Sequence, residues 1–86
     1  MKHRLVELGE ENIIGAKVFA IRTQRNMKQK ALLAQLHLFG LDISPTILSR
    51  IEGQHRAVRD YEVAIFARAL KITPNELLDE SYMPSE

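Results

Sequence analysis

The segment from Ile43 to Arg56 predicts a helix that is too short to stand alone. Ser44 is a suitable N-cap, Pro45 fits the first helical position, where its missing N–H costs nothing, and Gly53 can end the helix. A helix of about two turns does not persist in water, because nucleation costs more than so few hydrogen bonds return. Other helices must therefore hold the segment by its apolar side. That side consists of Ile47, Leu48 and Ile51.

The composition indicates a single folded domain with a modest core. The chain has 86 residues, of which 45% are apolar and 27% charged, and these values argue against global disorder. The absence of cysteine excludes disulfides and thiolate metal sites. No apolar run approaches the roughly 18 residues that a membrane span needs, and acidic residues stand where a signal peptide would be apolar. We therefore expect a cytoplasmic protein without a membrane segment.

Two helices are predicted before this segment. The first runs from Asn12, a candidate N-cap, to Asn26, which tolerates the left-handed conformation that ends helices. The second begins near Lys28 and ends at Gly40. Helical spacing predicts the inward side of each helix. The residues at this spacing are Ile14, Val18, Ile21 and Arg22 in the first helix, and the apolar side of the second consists of Leu32, Leu33, Leu36 and Phe39.

Two more helices are predicted after the segment. The first starts at Arg59 or Asp60. The second opens at the capping box from Thr73 to Glu76, with Pro74 in the first helical position. The inward residues of the earlier helix are Val63, Phe66, Ala67 and Leu70. Because no strand-like alternation or internal repeat occurs, we expect an all-α chain of five short helices.

This pattern divides the chain into three parts. Residues 1–11 form an N-terminal arm, residues 12–79 form the helical domain, and residues 80–86 form a C-terminal tail that we expect to fray. Phe19 lies off the apolar stripe of the first helix. It is therefore either covered by the N-terminal arm or exposed as part of an interface.

The basic residues are concentrated in the middle of the chain. The formal net charge is only +1, but residues 12–59 carry eight basic side chains against two acidic ones. The flanking residues, 1–11 and 60–86, carry an excess of acidic side chains. Such a split is expected of a domain that turns one face towards a polyanion and keeps its other surfaces acidic. An ordinary solvated surface is the alternative.

Three stretches within residues 13–79 carry a family resemblance: IIGAKVFAIRTQRNMKQKALLAQL, ISPTILSRIEGQHR and YEVAIFARALKITPNELLD. Together they resemble the helix-turn-helix family of phage lambda repressor and Cro, also called the XRE family. The most specific features are Gln29 at the start of the second helix, the pattern S-x-T-x-x-S-R-I-E in the third, and the ending ALKITPNELL. The resemblance implies a compact five-helix domain of bacterial or phage origin, in which the third helix lies in the DNA major groove.

The resemblance also implies roles for individual residues. Pro45, Thr46 and Arg50 match positions that face base edges, and Ser44 and Ser49 match positions that contact phosphates or bases. Arg22 and Glu52 match a pair that forms a largely buried, structural ion pair. Gln29, Gln54, His55 and Arg56 match positions that grip backbone phosphates. Charge alone adds Arg25, Lys28, Lys30 and Arg59 to the candidate phosphate contacts.

One segment departs from the family pattern. The family usually has a single residue, often glycine, between the positions of Leu36 and Ile43, whereas this chain has the six residues HLFGLD. We expect the five extra residues to lengthen the second helix by about one turn and to replace the tight turn with a longer loop. This change puts in doubt how the second helix approaches the DNA backbone, and with it the Gln29 contact.

Arg50 is the strongest candidate for reading a base. Its guanidinium can donate two hydrogen bonds to guanine O6 and N7, a contact worth roughly 1–3 kcal/mol of discrimination. The alternative is a solvated surface arginine. Pro45 donates nothing, so its contact would be apolar, against a thymine methyl, and Thr46 can act in either way. We therefore expect modest direct readout, with further specificity from the shape of the DNA.

The sequence offers little for catalysis or metal binding. His3 and His37 lack the spacing of metal ligands. There is no nucleophile paired with a base, no glycine-rich phosphate loop and no cluster of carboxylates. We therefore expect no enzymatic activity, metal, cofactor or small-molecule ligand.

The expected function is that of a small transcriptional regulator. We expect a repressor that binds double-stranded DNA as a homodimer on a pseudo-palindromic operator, because one helix in one groove offers little contact. The candidate dimer residues, in falling order, are Leu78, Tyr82 and Met83, then Tyr61 and Ile65, then Phe19. The alternative is a protein-interaction module with the same fold, such as an antitoxin or antirepressor.

Overall fold

The computed structural model describes residues 8–84 and contains five helices in that range, with no strand. They are α1 (Gly15–Gln24), α2 (Gln29–Leu38), α3 (Pro45–Glu52), α4 (Asp60–Ala69) and α5 (Pro74–Leu78). The prediction of an all-α chain with five short helices is therefore confirmed for these residues. Residues 1–7 of the predicted arm and residues 85 and 86 of the predicted tail lie outside the described range.

Local caps begin two of the helices as predicted. The Ser44 hydroxyl accepts a hydrogen bond of 3.2 Å from the Ile47 N–H at the start of α3, and Pro45 occupies the first position. At α5, the Thr73 hydroxyl accepts from the Glu76 N–H at 3.0 Å, while the Glu76 carboxylate accepts from the Thr73 N–H at 2.8 Å. Each cap satisfies N–H groups that have no partner within the helix.

The boundaries of α1 and α2 differ slightly from the predicted ones. α1 begins at Gly15 rather than directly after Asn12, although the Asn12 carboxamide oxygen does accept the Gly15 N–H at 2.8 Å. Asn26 adopts the expected left-handed conformation, with a φ of 55°. α2 ends at Leu38, and Gly40 follows with a φ of 93°.

The inserted segment extends α2 slightly and then forms a loop that packs against the helices. α2 extends only two residues beyond Leu36, about half a turn, so the expected lengthening by a full turn was too large, while the longer loop is confirmed. The His37 ring lies 3.0 Å from the Ile43 carbonyl oxygen, and the Arg68 guanidinium stacks over the Phe39 ring at 4.6 Å. Leu41 is buried in the core. The inserted segment is therefore held by a contact within the loop, by Arg68 of α4 and by the core.

One hydrophobic core lies among the five helices. α1 packs on α3, α2 contacts both α3 and α4, and α4 packs on α5. The predicted inward residues of α1 are all buried, as are most of those of α2 and α4; Phe39 and Val63 are half-buried. Leu41 and Ile43 in the loop before α3 were not predicted as core residues. Within the described residues, no helix is both long enough and apolar enough to cross a bilayer.

Residues 80–84 of the predicted C-terminal tail include two that contact α1. Tyr82 is half-buried, and the Lys17 ammonium lies 5.8 Å from the centre of its ring. The Gln24 carboxamide donates a 3.0 Å hydrogen bond to the Pro84 carbonyl oxygen. The fraying of the tail stays a prediction, and the local sequence of the tail does not reveal these contacts with side chains of α1.

A buried ion pair connects the first three helices. Arg22 of α1 donates two hydrogen bonds to the Glu52 carboxylate of α3, at 2.7 and 3.0 Å, and a third to the Met27 carbonyl at 2.8 Å. Gln29, at the start of α2, donates to the same carboxylate at 3.0 Å. Glu52 is only 2% exposed. These bonds satisfy charges that would otherwise be costly to bury.

Replacing Arg22 by alanine is expected to lower the free energy of unfolding by about 3–5 kcal/mol, because Glu52 would stay buried without its charged partner. Chemical denaturation followed by circular dichroism measures the change. Lys30→Ala is the control: Lys30 is exposed on α2, and its loss should change stability by less than about 0.5 kcal/mol. A loss below about 1 kcal/mol for Arg22→Ala, typical of an exposed pair, would contradict this role.

Candidate nucleic-acid interface

The solvent-facing side of α3 carries the residues that the sequence predicted to face DNA. Leu48, Ile51 and Glu52 point into the protein and are buried. The exposed residues of the segment are Ser44, Pro45, Thr46, Ser49 and Arg50. Because the buried residues recur at helical spacing, the exposed ones lie together on the opposite side. The structure thus brings all three predicted base contacts onto one exposed surface.

The basic loop of residues 54–59 directly follows α3. His55 and Arg59 are exposed within it. The Arg50 guanidinium lies 3.5 Å from the His55 carbonyl oxygen, so the Arg50 side chain extends from α3 to the loop that follows it. The exposed face of α3 and the loop therefore form one continuous polar surface.

Arg56 is engaged within the protein. Its guanidinium donates to both carboxylate oxygens of Glu62, at 3.1 and 3.2 Å, and to the Ala57 carbonyl oxygen at 3.2 Å. The same carboxylate accepts the Arg59 N–H at 2.9 Å and thereby caps α4. Much of the hydrogen-bonding capacity of Arg56 is therefore used to fix the loop, which leaves less of it for a phosphate.

Glu62 is a structural residue that the sequence reasoning missed. It is only 1% exposed. Burial on its own would raise the pKa of this carboxyl, but the hydrogen bonds from Arg56 and Arg59, together with their charges, outweigh it and hold the pKa below its ordinary value. The signal was a glutamate at the third position of α4, but it was hidden because Arg59 precedes the helix in place of a serine or threonine.

Gln29 and Ser49 form a second polar cluster beside α3. The Gln29 carboxamide donates to the Ser49 hydroxyl at 3.1 Å as well as to Glu52. These bonds tie the start of α2 to the middle of α3. The two candidate phosphate contacts therefore lie side by side, with the Gln29 side chain oriented by the buried ion pair.

The remaining candidates differ in their surroundings. Lys28 and Lys30 are exposed at the start of α2. Arg25 is exposed too, but its guanidinium donates to the Leu70 carbonyl oxygen at the end of α4. Gln54 is half-buried, and its carboxamide donates to the Asn12 carbonyl oxygen. Gln54 is thus directed at the N-terminal segment rather than outward.

The electrostatics of this surface are set by which cations are already paired. Glu52 and Glu62 lie beneath it and are neutralised by Arg22 and Arg56. Among residues 8–84, the Arg50 and Arg59 side chains donate to uncharged groups, the His55 carbonyl oxygen and the Tyr61 hydroxyl respectively. Neither guanidinium forms an ion pair with a carboxylate of these residues, although the charge of Glu62 also acts on Arg59. The surface can attract an anionic polymer, and its donors suit both phosphate oxygens and the acceptor groups of bases.

Comparison with known proteins adds no assignment. The chain matches no protein-family model, no curated protein and no solved structure.

The Glu62 carboxylate is expected to contribute stability that acid removes. Because folding holds its pKa below the unfolded value of about 4.3, the contribution is present above that value and is lost as the pH falls through the folded pKa. Glu62→Gln should therefore be less stable than the wild type at neutral pH and should lose less stability on acidification. Urea denaturation at neutral pH and near pH 3 measures both effects. Equal acid-induced losses in the two proteins would contradict the assignment.

Proposed function

We propose that the chain is a sequence-specific regulator of transcription that binds double-stranded DNA through a helix-turn-helix of the lambda-repressor type. One observation carries the proposal: α3 is anchored by its buried side and presents a polar, cationic side outward beside a basic loop. An α-helix fits the major groove of B-DNA, which is about 12 Å wide. A helix that is anchored by its buried side and carries hydrogen-bond donors on its exposed side suits that groove.

Base recognition in this proposal rests mainly on Arg50. Its guanidinium is exposed and forms no ion pair with a carboxylate of residues 8–84. It can therefore donate to guanine O6 and N7. Pro45 and Thr46, exposed in the first turn of α3, would supply apolar contacts and one hydroxyl. With one strong hydrogen-bonding side chain, direct readout is limited, so the shape of the DNA supplies part of the specificity.

Phosphate contacts in this proposal flank α3 on two sides. Lys28, Gln29 and Ser49 stand on the side of α2, and His55 and Arg59 stand in the loop that follows. Arg56, whose charge is paired with Glu62, holds the same loop in place. Contacts on both sides would hold the helix in register on the duplex without themselves reading sequence.

A homodimer on a pseudo-palindromic operator completes the proposal. Two half-sites about one helical turn apart double the contact that a single α3 can make. Leu78 and Met83 are 43% and 44% exposed and remain the leading candidates for the dimer surface, with Tyr61 at 52%. Tyr82, Ile65 and Phe19 are half-buried within their own chain, which makes them weaker candidates. Occupation of such an operator would repress by excluding other proteins.

Arg50→Ala is expected to reduce sequence discrimination. The variant should lose about 1–3 kcal/mol of binding free energy on an operator selected from random DNA, and much less on generic duplex. Arg59→Ala is the matched control, because it also removes one exposed arginine. It should weaken both complexes similarly and reduce the salt slope by about one. Fluorescence anisotropy titrations at several salt concentrations measure all of these values.

Two outcomes of those titrations would contradict the proposal. If the wild type binds no duplex even at low salt, the DNA-binding function fails, and the protein-interaction module becomes the better hypothesis. If Arg50→Ala and Arg59→Ala change the ratio of specific to generic binding equally, then α3 does not read bases through Arg50.

The dimer is expected to appear in the stoichiometry of the complex. Analytical ultracentrifugation of the protein with a selected operator should give two chains per duplex, and a duplex with a single half-site should bind with markedly lower affinity. A complex of one chain per full operator, unchanged at higher protein concentration, would contradict the dimer.

A further inference from the structure

The N-terminal segment of residues 9–12 is hydrogen-bonded along the end of α3 and the start of the basic loop. The Gly9 N–H donates to the Gly53 carbonyl oxygen at 2.8 Å, and the Glu11 N–H donates to the Gln54 carbonyl oxygen at 2.9 Å. In return, the Gln54 carboxamide donates to the Asn12 carbonyl oxygen. This set of contacts, which we call the N-terminal clamp, involves residues more than 40 positions apart in the chain.

Asn12 is the centre of the clamp. Its carboxamide nitrogen donates to the Ile51 carbonyl oxygen at 3.1 Å and to the Arg56 carbonyl oxygen at 2.8 Å. Its carboxamide oxygen accepts the Gly15 N–H at 2.8 Å. Both donor hydrogens of the amide are thus used, together with one acceptor site. One side chain therefore joins the first turn of α1, the last turn of α3 and the middle of the basic loop.

The backbone approaches too closely at two points of this junction to admit a side chain. A Cβ on Gly9 would lie 2.3 Å from the Gln54 carbonyl oxygen, and a Cβ on Gly15 would lie 1.9 Å from the Ile51 carbonyl oxygen. Glycine is therefore required at both positions for the segment to reach its hydrogen-bonding distance. The sequence is adapted to this contact on both sides of Asn12.

The junction that the clamp braces also carries the hydrogen bonds of a helix end: the Gln54 N–H donates to the Ile51 carbonyl oxygen at 3.0 Å, and the His55 N–H donates to the Arg50 carbonyl oxygen at 2.8 Å. Gly53 has no side chain, and Gln54 adopts a left-handed conformation with a φ of 61°, which is unfavourable for a residue with a Cβ. The two hydrogen bonds that Gln54 makes to Glu11 and Asn12 offset this cost. Without the clamp, the loop would be held to α3 mainly by the local hydrogen bonds of residues 53–55, so its orientation relative to α3 would be less restricted.

We propose that Asn12 is a positioning residue for DNA binding. It fixes the basic loop relative to α3, so that the cations of the loop reach phosphates while Arg50 faces the bases of the same site. The inference rests on the proposed DNA-binding function and adds a role for a residue outside the binding surface. Asn12 is half-buried and uncharged, and its polar groups are occupied within the chain.

The absence of charge on Asn12 makes the proposal testable. The slope of log K against log salt counts the phosphates that a protein neutralises. A neutral-to-neutral substitution such as Asn12→Ala can change this slope only by displacing cations that stand elsewhere. A purely structural role would lower the unfolding temperature and leave the slope of the folded protein unchanged.

The experiment measures DNA binding by the full chain across salt concentrations, at a temperature where circular dichroism shows each variant to be folded. Asn12→Ala should bind a selected operator about tenfold or more weakly, with a salt slope smaller by about one, as expected when one phosphate contact is lost. Thr23→Ala is the matched control, because Thr23 is also half-buried and uncharged, and its hydroxyl is hydrogen-bonded within the chain, to the Phe19 carbonyl oxygen. It should leave affinity and slope unchanged.

Gly9→Ala provides a second variant that acts at the other end of the clamp and leaves Asn12 in place. It should reduce the slope in the same direction, and it decides the question if Asn12→Ala does not fold. Wild-type binding with unchanged slopes in the folded clamp variants would overturn the role of Asn12 alone. Failure of the wild type to bind any duplex would overturn the proposed function and this role together.

Discussion

The orientation of α3 depends on the buried pair of Arg22 and Glu52. Glu52 lies in the last turn of α3, and Arg22 reaches it from α1 with two hydrogen bonds. A rotation of α3 by one residue, about 100°, would expose Glu52 or leave Arg22 buried without its partner. Either result would cost several kcal/mol by the usual measure of broken buried pairs. The pair therefore determines which residues of α3 face the solvent, although neither of its members faces the solvent itself.

A second buried carboxylate, that of Glu62, fixes the position of the loop, as Glu52 fixes the orientation of α3. Glu62 pairs with Arg56 and caps α4 through the Arg59 N–H, which fixes the loop at its far end. Asn12 ties the middle of the loop, at Arg56, to the last turn of α3. The result is a surface whose supporting charges are paired internally, while the exposed guanidinium groups of Arg50 and Arg59 form no ion pair with a carboxylate of the described residues. In the proposed function, these are the charges that meet DNA.

Sequence reasoning succeeded where the signal is local and failed where it is not. The caps at Ser44 and Thr73 and the apolar spacing of α1 follow from neighbouring residues, and the structure confirms them. The bonds of Asn12 to residues 39 and 44 positions away leave no periodic pattern, so its larger role could not be seen. The burial of Glu62 left no signal in the sequence, because acidic residues are common in a first helical turn whether or not they are buried. The solvent-facing side of α3 could be predicted, but the internal partners of Arg56 and Gln54 could not.

The role of α3 in DNA binding is tested most directly by mapping the DNA contacts with nuclear magnetic resonance of the labelled protein. Titration with a selected operator is predicted to shift the amide signals of Thr46, Ser49 and Arg50 and of the loop at 54–59 most strongly. Signals of α5 near Leu77, which lies in the core away from α3, should move little, apart from any change caused by dimer formation. The largest shifts on the outer face of α2 or on α4, with α3 unaffected, would contradict the claim that α3 is the helix that reads DNA.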